Sequence, residues 1–149
     1  MSWLSSSRSR QVAMLALRIA LATAFLSAVA DRFGVWGPSG TLNVFWGSFD
    51  AFVAYTATLM PFVPAGIVPV FAWASTAAEV ILAIGLLIGW QLRWFALGSA
   101  LLLTVFGLAM AMFAGIEATF SYNVWTTVAA SYGLAYLAAE QLAKSTKTA

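Results

Sequence analysis

Two ionised side chains, Arg18 and Glu79, stand within stretches of sequence that are otherwise apolar over the thickness of a bilayer. Charged residues are rare at such positions; they usually face the interior of a helix bundle and often mark a ligand or proton site. A cation and an anion placed in this way could bind a polar ligand, handle a proton, or form a buried ion pair that fixes helix register. Arg18 and Glu79 therefore mark a candidate ligand site, but they do not indicate a reaction or a catalytic residue.

Arg18 and Glu79 lie at comparable predicted depths. At about 1.5 Å per residue, Arg18 is about 10 Å along its helix from Gln11, and Glu79 is about 17 Å from Trp90, both measured from the same end of the bundle. A lone charge near the bilayer centre costs about 2.5 to 3.5 kcal/mol on insertion scales. We therefore expect the guanidinium and the carboxyl group, ionised or protonated, to meet each other or to share a water-filled cavity.

Four polar residues are weaker candidates for the same ligand site. Ser75 and Thr76 precede Glu79 by one helical turn, so each hydroxyl bonds either the carboxyl group or its own helix backbone, which is the commoner arrangement. Tyr122 and Asn123 belong to a polar and aromatic stretch. Such a stretch is typical of a membrane-interface belt, which we favour, and also of a ligand pocket. We expect no metal at this site.

The composition identifies the solvent of this chain. Hydrophobic residues make up 62% of the sequence and charged residues 8%, against roughly 25% charged residues in an average soluble domain. The charged residues also cluster at a few points and are separated by long uncharged runs. We therefore expect lipid to cover most of the surface of a single membrane domain, residues 1–149.

The charged clusters divide the chain into four predicted spans, each near or above the length of about 20 residues that a bilayer requires. The sequence therefore predicts an all-α fold, a polytopic membrane four-helix bundle. The predicted spans cover residues 11–30, 67–90, 92–114 and 119–142.

The uncharged segment between the first two spans could hold another crossing, but three prolines argue against it because they would repeatedly break a helix in hydrocarbon. Residues 48–60 instead predict a short interfacial helix. Ser48 can cap this helix and Asp50 suits its first turn. The residues that recur at the spacing of one helical face are Phe49, Phe52, Val53, Thr56 and Met60.

Charge asymmetry predicts the orientation. With both termini in the cytoplasm, the inner loops carry Arg8, Arg10, Arg93, Lys144 and Lys147, and the outer side carries only Arg32 as a cation. This distribution obeys the positive-inside rule and predicts a multi-pass protein of the bacterial inner membrane. A cleaved secretion signal is the alternative for the first span. Its length and its internal arginine are unusual for a signal, so we favour retention.

Missing residue types exclude several kinds of function. The sequence has no cysteine and no histidine, so it can form no disulfide and lacks the usual ligands of haem, zinc, copper and iron-sulfur clusters. It contains no phosphate-binding glycine loop and no nucleophile elbow. We therefore expect no self-contained redox or hydrolytic centre, no covalently bound cofactor and no nucleic-acid partner.

Four short motifs stand in the order Leu17-Arg18-Ile19-Ala20, Ala30-Asp31-Arg32-Phe33-Gly34, Ala78-Glu79-Val80 and Gly85-Leu86-Leu87-Ile88-Gly89. They resemble motifs of the DoxX family, which comprises small bacterial four-helix membrane proteins. The resemblance covers about residues 11 to 138, and its implied fold is a polytopic inner-membrane bundle. Some DoxX relatives are linked to quinone-dependent thiosulfate oxidation or to membrane redox complexes, although the lack of cysteine and histidine here disfavours an independent oxidoreductase.

Three hypotheses follow from these observations. The first is an accessory or membrane subunit of a quinone-linked redox system, which binds a quinone or similar lipophile near Arg18 and Glu79 and works with a redox partner protein. The second is a small carrier or exporter in which Glu79 takes up a proton. The third is an assembly subunit without a ligand, in which the two charges only hold helices together. Homo-oligomerisation is compatible with all three.

Overall fold

The protein is all-α. The computed structural model describes residues 7–147, so both chain termini and the two ends of the predicted 1–149 domain lie outside the described residues. Six helices form in this range: α1 Ser7–Arg32, α2 Phe49–Leu59, α3 Val68–Ile88, α4 Leu92–Phe113, α5 Ile116–Ser121 and α6 Val124–Lys147.

Three of the predicted spans are confirmed as helices that are long and apolar enough to cross a bilayer: α1, α3 and α4. α1 continues beyond both predicted ends of the first span: it begins at Ser7, and Asp31 and Arg32 belong to its last turn. α3 begins next to Pro69, whose missing N–H costs nothing in a first helical turn.

The fourth predicted span, residues 119–142, is interrupted near its start. α5 ends at Ser121, and Asn123 adopts a left-handed conformation with φ of 53° before α6 begins. α6 has 24 residues, which is long enough for a span. Its serine, threonine and tyrosine residues leave it without a stretch as apolar as those found in α1, α3 and α4.

The predicted short helix at 48–60 is confirmed as α2, between the first and second spans. Ser48 Oγ accepts a hydrogen bond from the backbone N–H of Ala51 at 3.2 Å and caps the helix. Asp50 lies in the first turn, where a negative charge is favourable. Phe52 and Thr56 are both buried, so their shared face packs against the bundle.

The four long helices form a ring in which α1 packs against α3, α3 against α4, α4 against α6 and α6 against α1. Small buried residues allow the backbones to approach closely, as is usual between helices in membranes. The fully buried alanines are Ala22, Ala72, Ala83, Ala96 and Ala100.

The two ends of the ring are packed differently. We call the end with the short connection between α3 and α4 the turn end, and the opposite end, where α1 ends and α2 lies, the α2 end. The turn end is filled by a hydrophobic core that includes Met14, Leu86 and Leu134. The α2 end contains a large cavity, described below.

Gly85 shows how tightly the turn end is packed. A Cβ atom at Gly85 would clash with the Cδ1 atom of the Phe95 ring. At Gly133 on α6, by contrast, an added Cβ atom would meet no atom within 4 Å. The same glycine-to-alanine change is therefore disruptive at one site and harmless at the other.

Gly85→Ala should lower the free energy of unfolding by about 1 to 3 kcal/mol, because the added methyl group overpacks the contact with Phe95. Gly133→Ala should be neutral or stabilise the helix by up to about 1 kcal/mol. Unfolding in mixed detergent micelles, followed by circular dichroism, measures both changes. Equal stability of the two variants would contradict the tight contact between α3 and α4.

Candidate functional site

Glu79 forms a buried ion pair at the α2 end of the bundle. Its Oε1 accepts a hydrogen bond from Arg32 Nη2 at 2.6 Å, and the two side chains are 2% and 3% exposed, respectively. Arg32 Nη1 donates to Thr76 Oγ1 at 2.8 Å. The last residue of α1 is thereby joined to two positions on one face of α3.

Asp31, the neighbour of Arg32, is also buried and directs the chain that follows α1. Its Oδ2 accepts hydrogen bonds from the backbone N–H groups of Phe45 at 3.1 Å and Trp46 at 2.9 Å. These bonds fold the connection between α1 and α2 back over the end of α1. Trp46 is thereby placed beside the ion pair.

Aromatic rings cover the guanidinium of Arg32. Its Cζ lies 3.8 Å from the centroid of the Phe52 ring and 5.3 Å from that of the Trp46 ring. The two rings meet edge to face, with centroids 5.1 Å apart. This arrangement favours a cation, because the faces of aromatic rings are electronegative. We call Trp46 and Phe52 the aromatic cap.

A cavity of about 830 Å³ lies beside the ion pair, between α1, α2, α3, α4 and the start of α6. Arg32 and Glu79 both line it, together with the aromatic cap. Most other lining residues are apolar: Leu21, Ala24, Phe25, Ala28, Leu59, Met60, Phe71, Ala74, Ala78, Leu102, Leu103, Val105, Phe106, Met110, Met112 and Val124. The site therefore combines an apolar volume with one localised polar group.

Tyr55 of α2 adds a phenol to the cavity wall. Burial, with a smaller contribution from neighbouring Tyr122, raises the pKa of the Tyr55 phenol above its ordinary value. Tyr55 therefore remains protonated at neutral pH and can donate a hydrogen bond.

Three buried polar side-chain atoms have no hydrogen-bond partner within the part of the chain that the structure describes. They are Asp31 Oδ1, Arg32 Nε and Glu79 Oε2. Buried polar atoms are nearly always paired, so each exception calls for an explanation. Two of these atoms belong to the ion pair beside the cavity.

Arg18 does not contact Glu79, so the predicted pairing is wrong. Arg18 Nε donates to the carbonyl oxygen of Leu86, and Nη2 donates to that of Leu87, each at 2.7 Å. These carbonyls lie at the end of α3, where they lack partners within the helix and attract a cation. They lie about 11 Å of helix rise beyond Glu79, too far for one guanidinium to reach both sites.

Gly89, the C-cap residue that follows Ile88 at the end of α3, has φ of 78° and lies against Arg18. A Cβ atom at Gly89 would clash with Arg18 Nη2. Arg18 therefore caps α3 and is not part of the cavity lining.

The four weaker candidates differ in their position relative to the cavity. Ser75 and Tyr122 line the cavity and Thr76 touches Arg32, whereas Asn123 does not line it. Both Ser75 Oγ and Thr76 Oγ1 donate to the backbone carbonyl of Ala72, as expected for the commoner arrangement. Whether any of them binds a ligand stays a prediction.

Arg32 and the aromatic cap were not predicted as site residues from the sequence. A usable signal for Arg32 was present, because Leu21, Phe25, Ala28 and Arg32 recur at helical spacing and all line the cavity. The positions of Trp46 and Phe52 depend on how the loop before α2 folds, which no periodic pattern encodes.

Among the described residues, no group of three or more cysteine, histidine, aspartate or glutamate side chains could hold a metal ion. The site therefore offers hydrogen bonds, a compensated charge pair and aromatic surfaces. It can bind and orient a molecule that is mostly apolar and carries a small polar group.

The chain matches a known protein family. Residues 10–121 match the family model described as methylamine utilisation protein MauE. The chain belongs to the MauE family. MauE is a DoxX-related family of small membrane proteins. The match therefore supports a relationship to DoxX, and the family that it identifies is MauE. No curated protein and no solved structure matches the chain.

The MauE match identifies a multi-pass membrane protein and includes Arg18, Arg32, Glu79 and the aromatic cap. It ends just before Tyr122 and α6. The ion pair and most of the cavity wall thus lie within the matched segment of this MauE-family chain.

Arg32→Met should destabilise the protein by about 3 to 5 kcal/mol, because it leaves the carboxylate of Glu79 buried without a cation. The double variant Arg32→Met with Glu79→Met should recover most of that loss. A double-mutant cycle in mixed micelles measures the coupling.

The matched control is the same cycle with Arg18→Met. Its effect should add to that of Glu79→Met within about 0.5 kcal/mol, because the two groups do not touch. A larger coupling of Glu79 with Arg18 than with Arg32 would contradict the observed pairing.

Proposed function

We propose that this MauE-family protein is an accessory or membrane subunit of a quinone-linked redox system. In this proposal it binds a quinone or a similar lipophile in the cavity beside Arg32 and Glu79, and it works with a partner protein that carries the redox centre. The proposal rests on one observation, an apolar cavity of about 830 Å³ with a buried ion pair in its wall.

The size and lining of the cavity support a small lipophile. Ligand pockets commonly have volumes of about 300 to 1,000 Å³, apolar walls and a few polar groups that fix orientation. Here the polar groups are the ion pair and the Tyr55 phenol. Because Arg32 and Glu79 compensate each other, the site suits a head group without net charge.

The position of the cavity supports entry from lipid. Its walls include Phe71 on α3 and Val105 and Met112 on α4, which are 44%, 61% and 68% exposed. The cavity is therefore open at the bundle surface between helices that are apolar enough to span a membrane. A lipophile dissolved in the hydrocarbon can reach it without crossing water.

The need for a partner comes from the sequence. With no cysteine and no histidine, the chain lacks the usual ligands of metal and iron-sulfur redox centres, so electrons must come from or go to another protein. The family description assigns its members to methylamine utilisation. We propose that this chain serves a redox step of that kind from the bacterial inner membrane, with both termini in the cytoplasm.

Ala74→Phe should weaken binding of decylubiquinone at least about tenfold, because the added ring occupies the space that the ligand needs. Ala77→Phe is the matched control: Ala77 is exposed on the same helix and does not line the cavity. Binding to the protein in lipid nanodiscs, followed by tryptophan fluorescence, gives both dissociation constants.

Mass spectrometry of the protein purified with native lipids provides an independent test. Retained quinone that is lost in Ala74→Phe would support the proposal. Absence of quinone and equal decylubiquinone binding by both variants would refute it. Proton-dependent uptake that is lost in Glu79→Gln, without retained quinone, would instead support the carrier hypothesis.

A further inference from the structure

We infer that the cavity recognises its ligand through a hydroxyl group bound between Arg32 Nε and Glu79 Oε2, and that it therefore prefers the reduced quinol to the oxidised quinone. This inference rests on the proposed function, because it names the chemical form of the ligand that the proposed site binds.

The two unpartnered atoms define what the head group must supply. Arg32 Nε is a donor without an acceptor, and Glu79 Oε2 is an acceptor without a donor, among the residues that the structure describes. Nε belongs to the same guanidinium group as Arg32 Nη2, and Oε2 belongs to the same carboxyl group as Glu79 Oε1. Nη2 and Oε1 are in direct contact. The missing donor and the missing acceptor therefore border the same contact.

A hydroxyl group on the ligand satisfies both atoms at once. Its oxygen accepts from Nε–H while its hydrogen is donated to Oε2. A quinone carbonyl accepts from Nε but leaves Oε2 unpaired, and a carboxylate or phosphate would be repelled by Glu79. Hydrogen bonds to charged groups are stronger than those between neutral groups. The missing bond to Oε2 should therefore make quinone bind more weakly than quinol.

The aromatic cap controls access to these atoms. Neither atom has appreciable exposed surface, and the Phe52 ring lies 3.8 Å over the guanidinium of Arg32. The ring of a bound quinol must therefore displace Phe52, whose place over the cation it can take through the same interaction. Trp46, in contact with Phe52, should report this movement in its fluorescence.

The experiment compares three ligands that differ only in the head group: decylubiquinol, decylubiquinone and the dimethyl ether of the quinol. Each is titrated anaerobically into the protein in nanodiscs, and binding is measured by equilibrium dialysis and by tryptophan fluorescence. The quinol should bind at least about tenfold more tightly than the other two, as expected for one hydrogen bond to a charged acceptor.

Glu79→Gln tests the acceptor, because an amide group presents a donor in place of one carboxylate oxygen. The preference for quinol should fall below about threefold in this variant. Glu117→Gln is the matched control, since Glu117 is exposed and does not line the cavity, and its preference should be unchanged. Circular dichroism shows whether each variant is folded.

The outcomes separate this inference from the proposed function. Equal binding of quinol and quinone by the native protein would overturn the hydroxyl recognition and leave quinone binding standing. No binding of any of the three ligands would overturn both. Because the comparison of ligands uses the native sequence, the inference remains testable even if Glu79→Gln does not fold.

Discussion

The buried contact between Arg32 and Glu79 is the constraint on which the α2 end of this bundle depends. Moving two charges out of water is costly, and only close pairing with further hydrogen bonds offsets that cost. Thr76 supplies one such hydrogen bond to Arg32, and the two rings of the aromatic cap add cation–π contacts. The end of α1 must therefore lie against the middle of α3. The following loop must also return over the pair, where Asp31 holds its backbone.

This constraint divides the bundle into two parts with different roles. At the turn end, small residues and a continuous hydrophobic core hold the helices close together, and Arg18 completes the last turn of α3. At the α2 end, the ion pair replaces apolar packing, and a cavity opens beside it. A closely packed turn end thus supports the open cavity at the α2 end. The net charge of the pair is zero, which allows an apolar molecule to lie against it.

Much of the fold is predictable because lipid imposes long apolar helices, and the prolines and charges between them set the limits. The bounds of α2, α3 and α4 follow from such local signals. The partner of Glu79 could not be predicted from these signals, because the position of Arg32 beside Asp31 at the end of the first span is typical of a charge at the membrane surface. Its inward position depends on two further residues of α1 and on contacts with distant Phe52 and Trp46. Arg18 was misassigned because depth alone cannot distinguish a carboxylate from the unpaired carbonyls at a helix end.

The distance between the guanidinium nitrogens and the Glu79 carboxyl carbon tests the central claim most directly. It can be measured in lipid bilayers by solid-state NMR dipolar recoupling, with labelled arginine and glutamate in a Glu117→Gln, Glu140→Gln background that leaves Glu79 as the sole glutamate. We expect strong dephasing of the carboxyl signal that persists in Arg18→Lys and disappears in Arg32→Lys. Dephasing that disappears in Arg18→Lys instead, or that is absent from the start, would contradict the ion pair.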